Sequence, residues 1–161
     1  MKWLTPTLAG IVLLAGAAFA ADKLPPLNAK VLAFAEENAG KKVGNGECWT
    51  LADEALRAAG AKRPHTGGFG ANVFGKEVAL KEALPGDVLQ LEGARFEWHN
   101  RDGFSFWAEF PHHTAIVAAV KGRTITVWNQ NVNNEKKVQK SVIDLDNLKK
   151  GTITAFRPVP H

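Results

Sequence analysis

The chain has 161 residues, 22% of them charged, with 20 Lys+Arg against 16 Asp+Glu for a formal net charge of +4. That balance is too weak and too scattered for nucleic-acid binding, and no basic run or Gly-rich phosphate loop accompanies it. The single cysteine, Cys48, excludes a disulfide within one molecule.

Residues 1–20 read as a signal peptide: Lys2 is the positive end, residues 8–19 are an apolar stretch, and Ala18-Phe19-Ala20 has the small-x-small form of a cleavage site. The stretch is too short for a spanning helix. The expectation is therefore a secreted or periplasmic protein, not an integral membrane protein, and a monomer. Loss of Lys2 takes the charge from +4 to +3, which suits anionic envelope polymers or plain solubility. Residues 21–27 form a short leader, and 28–161 are enough for one domain with one core.

Residues 28–38 predict a helix, with Val31, Leu32, Phe34 and Ala35 at helical spacing and Gly40 as its stop. A second helix is expected over 47–59, ending at Gly60, with Leu51, Ala52, Ala55, Leu56 and Ala59 as its apolar stripe. Residues 62–75 read as loop. Pro85-Gly86-Asp87 turns the chain into a strand over 88–91, and 95–110 form an aromatic hairpin around Asp102-Gly103. Residues 113–120 read as a buried strand. Further strands are expected over 123–131, 137–143 and 152–157, with a helical turn over 144–149. Helices first and antiparallel strands after define an α+β fold.

Cys48 begins the second helix, where unpaired backbone N–H groups favour thiolate over thiol. A nucleophilic cysteine needs a base and an orienting group. Of His65, His99, His112, His113 and His161, the adjacent pair His112 and His113 sits at the mouth of the most buried strand. A three-residue loop, Val120-Lys121-Gly122, sets Ala119 against Arg123 and His113 against Asn129, with His112 and Gln130 on the other face; it is preferred to a two-residue Lys121-Gly122 loop, which would pair His113 with Gln130 instead. Each residue also has a plainer reading: Cys48 as a small buried hydrophobe, His113 as a satisfied strand-end histidine, Asn129 and Asn131 as strand terminators, and Trp98, Trp107 and Trp128 as core. A metal site on Cys48, His112 and His113 lacks a second ligand pair at zinc spacing, and no cofactor is expected.

The ordered set of Cys48 at a helix start, Pro85-Gly86-Asp87-Val88, His113-Thr114-Ala115-Ile116-Val117 and Trp128-Asn129-Gln130-Asn131 resembles the CHAP family. These are cysteine, histidine-dependent amidohydrolases and peptidases of the papain-like group, related to NlpC-type enzymes. The resemblance covers residues 43–131. It implies a papain-like fold with N-terminal helices packed on a mostly antiparallel sheet, Cys48 as nucleophile and His113 as general base. Asn129 falls where that family usually has glutamate, and Asn131 falls on its asparagine. It further implies acyl transfer on amide bonds, with peptidoglycan or another peptide as substrate, and Trp49 and Trp128 as substrate-binding residues. A catalytically silent module binding envelope glycopeptide, and an effector aimed at another protein, are the alternatives.

Overall fold

Helix α1, Pro26–Glu37, starts two residues before its expected position because Pro26 suits a first turn: its φ is fixed and its missing N–H has no helical partner there. Val31 and Ala35, four apart, are its buried face. Helix α2 runs Cys48–Ala59 and ends at Gly60 in the left-handed region, as its apolar stripe implies. The computed structural model describes residues 24–64 and 72–161; the expected signal peptide, its cleavage site and His65 lie outside the described residues.

The strands are β1 Lys76–Val78, β2 Val88–His99, β3 Ser105–Lys121, β4 Thr124–Asn129, β5 Gln139–Asp144 and β6 Leu148–Arg157. They form one six-stranded sheet in the order β1-β6-β2-β3-β4-β5, with every neighbouring pair antiparallel. Short 3-10 turns occupy Leu80–Glu82 and Leu145–Asn147. The hairpin and the buried strand read separately from the sequence are one continuous pair here: β2 and β3 are longer than the strands expected at 88–91 and 113–120. The short β1, on the edge, carries no alternation by which sequence could have found it.

Each face of the sheet buries its own apolar layer. Both helices pack on one face, over Val88, Ile116, Trp128 and Phe156. The far face is filled by Leu89, Leu91, Val117, Ile125, Val127 and Ile143. Gly93, at φ +55, interrupts the alternation of β2, so that Ala94 and Phe96 return to the same far-face layer as Leu89 and Leu91.

Asp87 of the Pro-Gly-Asp turn is wholly buried and structural. Its carboxylate accepts from Asn28 Nδ2 of α1 at 2.6 Å, from the Leu84 N–H at 2.8 Å and from the Arg157 guanidinium of β6 at 2.9 Å. One side chain thus ties a helix, a turn and a strand. The pairing also holds the Arg157 guanidinium above its ordinary value.

The β3–β4 hairpin differs from the expected register. The observed turn has two residues, Gly122 and Arg123, with Lys121 paired to Thr124, and a register shift lies between Val117 and Ala119. Gly122 takes φ +59, the conformation a two-residue hairpin turn asks of a central residue. Ile116 then pairs with Trp128, which brings Ala115 level with Asn129 and leaves His113 diagonal to it. Parity survives the change, so His113 and Asn129 still share a face.

Candidate active site

The loop before α2 delivers Cys48, and a buried glutamine holds that loop. Gln130 is 0% exposed. Its Oε1 accepts from the Val43 N–H at 3.2 Å, and its Nε2 lies 2.9 Å from Val43 O, 2.8 Å from Glu47 O and 3.1 Å from Thr50 Oγ1. The backbone just past β4 is thereby tied to both sides of the turn that presents the cysteine. Thr50 adds a second lock, its hydroxyl donating to Glu47 O at 2.7 Å. Sequence reasoning passed over Gln130; its place beside Asn129 on the helix-facing side was the available signal.

Glu47 caps no helix N–H with its side chain. Its carboxylate turns instead to Lys136 Nζ at 2.6 Å and Asn131 Nδ2 at 2.8 Å, and these partners hold it below its usual range. Asn131, in the left-handed region at φ 62, is therefore a partner of Glu47. The carboxylate beside the cysteine is neutralised locally and raises the thiol only as a lesser cause.

Cys48 is half-buried. Burial pushes its thiol above the ordinary value, and the backbone N–H groups of Thr114, Trp49 and Cys48 itself pull the other way without prevailing. The helix-start effect expected from sequence is present, but loss of solvent outweighs it. The expectation of a resting thiolate is corrected: the thiol stays protonated at neutral pH. The Thr114 contribution also locates the sulfur, at the backbone of the residue that follows His113.

His113 is 6% exposed and leaves the sheet on the far face, its ring 5.1 Å from that of Phe110. Burial lowers its pKa from 6.5 to about 4, so the imidazole is neutral at pH 7. Its Nε2 and the Oδ1 of Asn129, itself 2% exposed, are buried and have no hydrogen-bond partner among the described residues. Both residues line one far-face cavity of about 240 Å³, walled by Leu91, Phe96, Phe110, Val127 and Ile143. His112 projects to the helix-facing side, exposed and level with Glu92.

Of the tryptophans, Trp128 follows its plainer core reading, while Trp98 and Trp107 do not. Trp128 is buried in the helix-side core beneath Lys140, whose Nζ lies 4.6 Å from the ring, and Trp49 is half-buried against the same core. Neither lines the far-face cavity. Trp98 and Trp107, read as core, are instead exposed on the β2–β3 hairpin, where Trp98 stacks on Phe106 and Arg95 lies over Trp107. Among the described residues no group of three or more His, Cys, Asp and Glu side chains is gathered to hold a metal ion. No helix among them is long and apolar enough to cross a membrane.

Two helices on a six-stranded antiparallel sheet, with a cysteine opening one helix and a histidine on the strand it meets, define a papain-like cysteine proteinase fold. The family match is more specific. The model described as the AIM3/BBC1 cysteine proteinase-fold domain matches residues 27–161, and the chain belongs to that family. The four motifs that resemble CHAP enzymes lie inside this span, and the whole-domain match is to AIM3/BBC1.

The chain is similar to Altered inheritance of mitochondria protein 3 of Debaryomyces hansenii, at 31% identity over 145 residues. The match covers 81% of this chain and 16% of that protein, so the chain spans about a sixth of the relative's length. Among solved structures, Ly7917 superposes with a TM-score of 0.52 at 16% identity, covering 83% of this chain and 63% of that one. Ly7917 with the hydrolyzing product of MDP gives 0.56 at 18% identity, with 81% and 63% covered. At those identities the likeness is one of fold.

Proposed function

We propose that this domain is an exported thiol hydrolase of amide bonds, with Cys48 as nucleophile, His113 as general base and Asn129 orienting the imidazole. The reading is supported by adjacency along β3 alone, because the thiol lies at the helix side of this strand and the imidazole leaves on its far face, so the two must be brought together for turnover. Cys48 reaches the backbone of Thr114 from the helix layer, and His113 is the preceding residue. The two orphaned buried atoms, His113 Nε2 and Asn129 Oδ1, face one cavity and are complementary. When they meet, the ring carries its proton on Nε2 and presents its other nitrogen as an acceptor.

The pair rests as thiol and neutral imidazole. As Sγ attacks the substrate carbonyl, the thiol proton passes to His113, an S–C bond forms, and the Cys48 backbone N–H donates to the oxyanion. Collapse breaks the C–N bond, and His113 returns the proton to the leaving nitrogen. Water, deprotonated by His113, then cleaves the thioester, releasing the acid and restoring the thiol. Peptidoglycan peptide is one substrate pool consistent with the signal-peptide reading, and the solved relative carrying a hydrolysis product supports it.

Muropeptide and peptide digests followed by mass spectrometry test the assignment: wild type releases products, while Cys48→Ala loses all turnover and unfolds within about 1 kcal/mol of wild type. Persisting turnover in Cys48→Ala would sink it. A second reading, a silent binding module on the same scaffold, is favoured by the neutral resting pair. It predicts that wild type and Cys48→Ala bind substrate alike and neither cleaves it.

A further inference from the structure

The β2–β3 pair reaches well beyond the rest of the sheet. From Ser105 to Ala115, β3 pairs with β2 on one side, and among the described residues no strand pairs with its other side. The β4 ladder begins only at Ile116. A long open edge is a template for another extended chain, because its outward N–H and C=O groups repeat at strand spacing. Pro111 lies within this stretch, and sheets tolerate proline at edges and bulges.

Three further features align with this edge. At its inner end, by Thr114, stands the Cys48 sulfur. Beside it opens the far-face cavity, with Phe96, Ala108 and Phe110 on the hairpin side. Outward from the cavity the same face continues through Trp98 and Phe106, stacked at 6.1 Å and half open to solvent, to Phe104 at 65% exposure. The opposite hairpin face carries the charges, with Arg95 bonded to Glu97 and Glu109.

We propose that the substrate is an extended peptide added as a strand along the open edge of β3, with a large apolar side chain near the scissile amide seated in the far-face cavity. The proposal rests on the hydrolase reading for cleavage of the bound peptide, but the docking stands apart from turnover. A peptide fits better than a sugar, because a strand edge is read by backbone amides at every second residue. An apolar side chain fits the walls, and the volume of about 240 Å³ exceeds the roughly 150 Å³ that takes up benzene in an engineered apolar cavity. An acidic side chain does not fit: among the described residues Asp144 is the one charged group lining the cavity, and no lysine or arginine lines it.

The test uses the full chain carrying Cys48→Ala, so that binding is read without cleavage. The probe is an acetylated, amidated heptapeptide of neutral polar residues with one central phenylalanine, titrated by intrinsic fluorescence and amide chemical shifts. The phenylalanine peptide should bind at least tenfold tighter than its glutamate counterpart. N-methylation should cost about tenfold at alternate backbone amides and little at those between, and shifts should concentrate on β3 between Ser105 and Thr114. Ala108→Phe, which fills the cavity from the hairpin, should weaken the phenylalanine peptide about tenfold. The peptide series needs only Cys48→Ala, so a poorly folded Ala108→Phe leaves the test intact. Equal binding of the phenylalanine and glutamate peptides, or tolerance of N-methylation at every position, overturns the proposal. If the peptide binds as described and wild type leaves it intact, docking holds and hydrolysis falls. If wild type cleaves both peptides with equal kcat/KM, hydrolysis holds and the docking falls.

Discussion

Asn129 and Gln130 are adjacent, both buried, and should respond to alanine in opposite ways. Gln130 accepts from Val43 N–H and donates toward Val43 O, Glu47 O and Thr50 Oγ1. A net contribution of about 1 kcal/mol per hydrogen bond, with the Val43 N–H left unsatisfied in the interior, puts the cost of Gln130→Ala at about 3–5 kcal/mol. For a domain of this size that is a fall of roughly 10–15 °C in Tm. Asn129→Ala removes a carbonyl that has no partner in the resting protein, so stability should stay within about 1 kcal/mol of wild type or rise. Its effect should fall on turnover, lowering kcat about tenfold to a hundredfold as the imidazole loses its orienter. Urea unfolding of both variants, with kcat measured where each is folded, reads the contrast. A Gln130→Ala loss under 1 kcal/mol would refute the assignment of the loop's rigidity to this side chain. An Asn129→Ala loss of 3 kcal/mol would show that the asparagine is structural.

Stability should fall as pH drops from about 6.5 toward 4. His113 stays neutral in the folded protein down to about 4 whereas the unfolded chain takes up a proton near 6.5; the loss is about 3 kcal/mol and disappears in His113→Gln, as urea midpoints across that range would show. Iodoacetamide should alkylate folded Cys48 more slowly at pH 7 than a small free thiol, because burial raises its pKa; rapid labelling below neutrality would mean a resting ion pair and refute the neutral one. Asp87→Ala should cost about 3–5 kcal/mol by stranding Arg157 and Asn28 without their carboxylate, with calorimetry as the measure and a loss below 1 kcal/mol as the contrary result.

What could be read before any coordinates were the features set by local rules. The α2 stripe and Gly60 placed that helix to within a residue of Cys48–Ala59, because amphipathic period and stop signal agree there. The shared face of His113 and Asn129 also followed, since parity along a strand survives an error of two residues in register. The register itself did not follow. It depends on a two-residue turn and on a shift near Ala118 that leaves no mark in the alternation of an apolar run. The state of the thiol was misread for a related reason. A helix start is visible in sequence, but the burial that overrides it comes from elements distant in the chain. Trp98 and Trp107, read as core, are at the surface because the hairpin extends beyond both apolar layers, a length that no residue within it encodes.

The division of labour between Asn129 and Gln130 follows from one property of strands. Successive side chains leave on opposite faces, so a strand end lying between two layers can serve both at once. On the helix side Gln130 is saturated by the cysteine loop and fixes where the sulfur stands. On the far side Asn129 and His113 are left short of partners, in a cavity that water or substrate can enter. Buried polar atoms without partners cost stability, and structural sites usually remove them. Among the described residues Trp128 Nε1 and Asn28 Oδ1 are orphaned on the helix side as well, so what singles out His113 Nε2 and Asn129 Oδ1 is that their residues line one cavity as a complementary donor and acceptor. A substitution that pairs His113 Nε2 permanently, such as Asn129→Asp, should therefore raise both the imidazole pKa and the yield of thiolate at pH 7, and should label faster with iodoacetamide than wild type. No change in labelling rate would mean that Asn129 and His113 share a cavity without sharing a proton.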